Sequence, residues 1–205
     1  MSNATLDLIK SRVSANLFDE KSTISDAEIA ELVDYARQAP SSFNFQNWHF
    51  IAVRDLAAKQ RLQAVAYGQP KVSQAAVTFI VVGLLNPQTK LAEALAPSLA
   101  AGIVDQATVD TWVGMAVGMY GGNPALQRDE AIRSGSLAAM TLMLAAEAKG
   151  YVSGAMIGFD PVGVAKEFSL GPDQVPVMLL TVGHPAPGNW PRKPRFEISD
   201  ILTLI

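Results

Sequence analysis

Residues 38–50, QAPSSFNFQNWHF, crowd two serines, two asparagines and two glutamines among three phenylalanines and a tryptophan. On the N-terminal side, Ser25 and Glu28 form an S-x-x-E capping box ahead of Ile29, Leu32, Val33 and Ala36, a spacing that predicts a helix stopped by Pro40. On the C-terminal side, WHFIAVR (48–54) reads as a strand. The quoted stretch is therefore a loop that turns a helix into a strand. Taken alone, a capped loop whose polar groups satisfy their own backbone explains it.

Working outward, Leu6, Ile9 and Val13 recur at helical spacing, which predicts a short first helix ending near Ser11 or Arg12. Residues 56–66 read as an Ala-rich helix and AVTFIVVG (76–83) as a buried strand with few polar residues. Apolar groups repeat at helical spacing over 105–119. The segment 123–150 has Asn123 as N-cap, Pro124 in the first turn and Gly150 as its stop, and it is the expected central core helix. A strand at SGAMIGF (153–159), a helix from Pro161 to Phe168 and a strand at VPVMLLTVGH (175–184) follow. The remaining PAPGNWPRKPRF (185–196) is proline-rich, basic and extended. The expected fold class is α+β, one domain over residues 1–205 with an extended C-terminal tail, and no internal repeat is visible.

Composition excludes several function classes. A chain of 205 residues can bury a sizeable core, while a formal charge of −3 supplies no basic field for nucleic acid or an anionic membrane. Zero cysteines remove thiolate nucleophiles, disulfides and Cys-ligated zinc, and they fit a reducing compartment. The opening MSNATLDLIK lacks the features of a secretory signal, and the longest apolar runs, VTFIVVGLL and LAAMTLMLAA, fall short of the roughly 20 residues a membrane span needs. The expected setting is the cytoplasm. No glycine-rich phosphate loop or nucleophile elbow occurs, and His49 and His184 have neither metal-ligand nor triad spacing. Carboxylates are scattered mainly over predicted helix surfaces. No catalytic acid, base or nucleophile and no metal site is expected, so in an enzyme a cofactor performs the chemistry.

Four polar or cationic clusters remain: RVSAN (12–16), the quoted loop, Lys71, and RKPR (192–195). Each alone fits a helix terminus, a turn or a solvated tail. Together they are the groups that grip a phosphate: forked guanidinium, hydroxyl and compact ammonium.

Four segments in order, KSRVSANLFD (10–19), APSSFNFQNWHFIAV (39–53), GAMIGFDP (154–161) and VGHPAPGNWPRKPRF (182–196), resemble signatures of the nitroreductase family of FMN-dependent, NAD(P)H-using oxidoreductases. The resemblance implies a central mixed or antiparallel sheet surrounded by helices, and an interlocked homodimer with FMN at the subunit interface. It implies that Arg12 and Ser14, with Lys193 and Arg195, hold the FMN phosphate. It places Lys71 and Asn16 beside the pyrimidine edge of the flavin, with Asn16 where a lysine or arginine is common. Met156, Ile157 and Gly158 would bring backbone N–H to flavin N5, with Ile157 where the family often has glutamate. Pro40, Ser41, Ser42 and Asn44 would reach the flavin held mainly by the partner chain. Gln46 and Trp48 would fix that loop and fill the core, and Phe43 and Phe45 would divide between substrate pocket and interface. The segment Leu91–Gly122, with Trp112, Met115, Met119 and Tyr120, would cover the pocket; Phe43 and Tyr120 are its candidate substrate contacts. The implied activity is ping-pong hydride transfer from NAD(P)H to an electron-poor acceptor such as a nitroaromatic or quinone. An FMN-binding or sensing protein with little turnover would carry the same motifs.

Overall fold

A computed structural model describes residues 3–205. Helix α1 (Ala4–Ser11) starts on Asn3, whose side chain accepts from the amides of Thr5 and Leu6. Helix α2 (Asp26–Ala36) carries the expected reciprocal Ser25/Glu28 capping box and ends at Ala36, ahead of Pro40. The loop follows, with a 3₁₀ turn at Ser42–Asn44. Strand β1 (Trp48–Val53), helix α3 (Leu56–Val65), a one-turn helix α4 (Lys71–Gln74) and strand β2 (Val77–Leu84) come next.

The middle of the chain is helical: α5 (Leu91–Ala100), α6 (Gln106–Tyr120) and α7 (Pro124–Ala148), which begins on Asn123 as N-cap. Strand β3 (Val152–Met156), helix α8 (Pro161–Glu167), strand β4 (Gln174–Gly183) and a short helix α9 (Ile198–Ile201) complete the order. Strand β3 stops at Met156, three residues short of the expected end, because Ile157–Phe159 turn back with Phe159 N–H donating to the Ile157 carbonyl at 3.0 Å.

The four strands form one sheet in the order β1-β2-β4-β3, antiparallel at every pairing. Strand period decides the layers. Val77, Phe79 and Val81 of β2 face a cluster with Leu32 and Ala36 of α2 and Leu142 and Ala146 of α7, while Ile80 and Val82 face Leu62 of α3 and Val164 of α8. Both faces of β2 are buried, which is why its sequence is a nearly unbroken apolar run.

Helix α7 crosses close to the sheet at Gly83, where an added Cβ would sit 2.7 Å from the Ala131 carbonyl oxygen. A side chain there would push the central helix off its bed. A third cluster joins Phe45 of the loop to Leu91 and Leu95 of α5 and to Val109, Ala116 and Tyr120 of α6. That cluster ties the quoted loop to the helical middle of the chain. Among the described residues, no helix is long and apolar enough to cross a membrane.

Candidate active site

Arg12, Ser14, Asn16, Lys193 and Arg195 line one cavity of about 220 Å³, together with Val13, Trp190, Pro191 and Arg192. The two walls are 180 residues apart in sequence, and side chains bond them along their length. Asn189 Oδ1 accepts from the amides of Asn16 (2.8 Å) and Leu17 (3.0 Å), and its Nδ2 donates to the Leu17 carbonyl at 2.7 Å. The Arg192 guanidinium donates to the carbonyls of Ile9, Lys10 and Arg12, at the end of α1 where unpaired carbonyls collect. Asn189 and Arg192 are thus the residues that place the tail; Arg192 belongs to the RKPR cluster of the sequence, whereas Asn189 carries no such signal.

The segment carrying Ser14 is seated on the sheet. Ala15 N–H donates to the Ser153 carbonyl at 2.9 Å, and Ser14 bridges Ser153 in parallel fashion. Gly154 permits this approach, since a Cβ there would meet the Ala15 carbonyl oxygen at 2.5 Å and Thr181 Oγ1 at 2.9 Å.

The electrostatics of the cavity call for an anion. Arg12 Nε and Nη1 are buried and have no hydrogen-bond partner among the described residues. Burial first, then the neighbouring charges of Arg192 and Arg195, pull the Arg12 guanidinium below its ordinary value, with Glu147 opposing. Lys193 Nζ lies 4.8 Å from the centroid of the Trp190 ring, a cation–π contact that leaves its donors available. Buried guanidinium donors with like charges around them are stable only opposite negative charge, and a phosphate with several oxygens meets both needs.

Lys71, at the first position of α4, does not line the cavity but donates from Nζ to Asn16 Oδ1 in its wall at 3.3 Å. Its ammonium is pulled below the ordinary lysine value by burial. Gln69, two residues earlier, donates from Nε2 to the Gly158 carbonyl at 2.6 Å and holds the Ile157 turn. Met156 is buried in the core, whereas Ile157 is 80% exposed, with Gly158 beside it.

The quoted loop stands apart from this cavity within one chain. Pro40 and Asn44 border a separate depression with Arg37, Gln38, Ala39 and Gln46. Ser41 Oγ accepts the Gln46 amide at 2.9 Å, and Ser42 Oγ lies 3.3 Å from Tyr120 Oη. Phe43, Asn44 and Gln46 all have positive φ, at 52°, 61° and 50°. Phe45 is buried in the helical cluster, edge-on to Tyr120 with centroids 5.2 Å apart, and so belongs to the core. Phe43 packs edge-on to Trp112 at 6.5 Å, while Met115 and Met119 of α6 are 52% and 47% exposed. Tyr120 is 3% exposed with its hydroxyl donating to Glu130, which places it behind the loop. Glu130 itself, 2% exposed, departs from the expectation that carboxylates lie on helix surfaces. His184 packs edge-on to Tyr151 at 5.0 Å.

The nitroreductase family model matches residues 9–184. The chain belongs to the nitroreductase family. It is similar over its length to a Bacillus subtilis protein provisionally named NAD(P)H nitroreductase YodC, at 36% identity over 179 residues, 87% of this chain and 88% of that one. Among solved structures, the B. subtilis nitroreductase ydfN, also provisionally named, superposes with a TM-score of 0.92 at 29% identity, covering 98% of both chains. A nitroreductase of Exiguobacterium sibiricum, so named provisionally and solved in complex with FMN, gives 0.89 at 28% identity over 100% of this chain and 98% of that one. Nitroreductase architecture thus extends through the tail that carries Lys193 and Arg195, beyond the residues matched by the family model.

Proposed function

We propose that this chain is an FMN-dependent oxidoreductase that transfers a hydride from NAD(P)H to an electron-poor acceptor, such as a nitroaromatic or a quinone, in two half-reactions that share one pocket. The observation that carries the reading is the pair of buried Arg12 nitrogens, without a hydrogen-bond partner among the described residues, in a cavity bordered by Arg192, Lys193 and Arg195. A phosphate monoester completes that set. FMN, when bound, supplies the hydride acceptor and donor, so no side chain need act as acid, base or nucleophile.

In this reading Arg12, Ser14, Lys193 and Arg195 hold the phosphate. Lys71 presents its ammonium to the pyrimidine edge and Asn16 orients it. The Met156–Gly158 turn, held by Gln69, offers backbone N–H to the ring edge where the hydride arrives. The zero-cysteine composition suits the reducing cytoplasm in which we place the protein.

The reading includes a homodimer, with Pro40, Ser41, Ser42 and Asn44 of one chain serving the flavin of the other. Two features support it. The loop and the cationic cavity are separate surfaces within one chain. The tail is exposed throughout residues 191–205, including the apolar Phe196, Ile198, Ile201, Leu202 and Leu204, and apolar side chains concentrated on one arm ask for a covering surface.

Colour tests the reading directly. Purified protein should be yellow, bleach on anaerobic mixing with NADH or NADPH, and recover its colour on addition of a quinone. Yellow protein that never bleaches would mark a flavin-binding protein without this turnover, and protein that cannot be loaded with FMN would remove the cofactor assignment.

A further inference from the structure

A buried carboxylate on α7 reaches the loop through a single hydroxyl. Glu130 is 2% exposed, and its oxygens accept from Ser134 Oγ at 2.9 Å, from Tyr120 Oη at 3.1 Å and from the Arg133 guanidinium. Beyond Tyr120 stands Ser42, its Oγ 3.3 Å from the same phenolic oxygen. The proton order along this chain is determined. A carboxylate paired with a guanidinium only accepts, so the one Tyr120 proton points at Glu130. The Tyr120 oxygen is left to accept, and the Ser42 proton must point at it. Ser42 then has lone pairs to offer and no proton.

We infer that Glu130 is a positioning residue that fixes Ser42 as a hydrogen-bond acceptor, so that Ser42 meets an N–H or O–H group of the bound cofactor. This rests on the FMN and shared-site reading above. Oxidised FMN offers such donors at one ring nitrogen and along its ribityl hydroxyls. The same chain of bonds bears on loop geometry. Phe43, Asn44 and Gln46 hold positive φ, and non-glycine residues stay in that region only where their surroundings enforce it. Tyr120 contributes twice, with its ring against Phe45 and its hydroxyl on Ser42.

Tyr120→Phe separates the two contributions, because it keeps the ring and leaves Glu130 with Arg133 and Ser134. Losing its acceptor, Ser42 is free to turn its proton toward the cofactor. Wild type, Tyr120→Phe, Ser42→Ala and the double variant would be titrated with FMN, and the visible circular dichroism of the bound flavin recorded. Each single variant should weaken FMN binding by about three- to tenfold, with the double variant no weaker than the worse single one, because Tyr120 acts on the cofactor only through Ser42. The flavin dichroism should change in Tyr120→Phe. Glu130→Gln, whose amide oxygen still accepts from Tyr120, should bind FMN more tightly than Glu130→Leu; if Glu130→Leu fails to fold, the Tyr120→Phe cycle carries the test alone. Wild-type protein that binds no FMN would overturn the cofactor reading and this inference with it. Wild type that binds FMN, alongside a Tyr120→Phe variant with unchanged affinity and dichroism, or single variants whose effects add, would overturn the inference and leave the cofactor reading standing.

Discussion

Lys71 Nζ donates to Asn16 Oδ1 across 3.3 Å, joining the first residue of α4 to the wall of the cationic cavity. Lys71 is the charge that contacts Asn16, the residue that the resemblance sets where a lysine or arginine would be expected. Burial holds the Lys71 ammonium below its ordinary value, so a negative group beside it would relieve a charge that is short of solvation.

The FMN midpoint potential should therefore depend on Lys71. Lys71→Ala should lower it, on the order of tens of millivolts, because the redox state carrying more negative charge loses its nearest compensating cation. Asn16→Lys should shift it in the opposite direction. Redox titration of fully loaded variants reads both, and an unchanged potential in Lys71→Ala would move Lys71 away from the pyrimidine edge.

Ligand linkage gives a second expectation. FMN binds the folded chain, so at one hundred times its dissociation constant it should add about 2.7 kcal/mol and raise the melting temperature. Arg12→Ala with Arg195→Ala should shrink that rise. Equal FMN-induced shifts in wild type and double variant would take these arginines out of the phosphate site.

Acid stability should be sensitive at Glu28. The Ser25 hydroxyl first, then the Tyr151 hydroxyl and the Ser25 amide, hold its carboxyl down from 4.5 to about 2. A carboxylate lowered in the folded state contributes stability that is present above the ordinary value and is lost as pH falls toward about 2. Glu28→Gln should melt at lower temperature at neutral pH and show a flatter dependence between pH 4.5 and 2. Thermal melts across that range check it; a Glu28→Gln curve parallel to wild type would deny Glu28 this role.

Local signals in the sequence reached most elements and part of the site. The Ser25/Glu28 box and the Asn123 cap are short-range patterns, and α2 and α7 start where they indicate. Helix α5 carries Pro97 inside it, a residue that reads as a helix breaker, and α4 and α9, at four residues each, are too short to show a period. Arg12, Ser14 and Arg195 were visible as phosphate-gripping types. Their meeting in one cavity depends on Asn189 and Arg192, whose bonds span 172 to 183 residues and leave no local trace. Glu130 reads in sequence as another charge on a helix; its burial and its bond to Tyr120 of α6 come from tertiary packing and leave no local trace.

The claim that the site is shared between two chains has a consequence that a single-chain site cannot reproduce. One chain would carry Arg12→Ala and Arg195→Ala, and a second, differently tagged, Ser41→Ala and Asn44→Ala. Arg12 and Arg195 line the same cavity, so the first chain has one damaged phosphate grip. Each homodimer then has two damaged sites. In the heterodimer, one site combines both defects and the other joins the intact grip of the second chain to the intact loop of the first. Purified heterodimers, assayed for bound FMN and NAD(P)H oxidation, should recover one working site of two. Heterodimers that give only the average of the two parents would contradict the shared site and assign the loop to its own chain's flavin or to none.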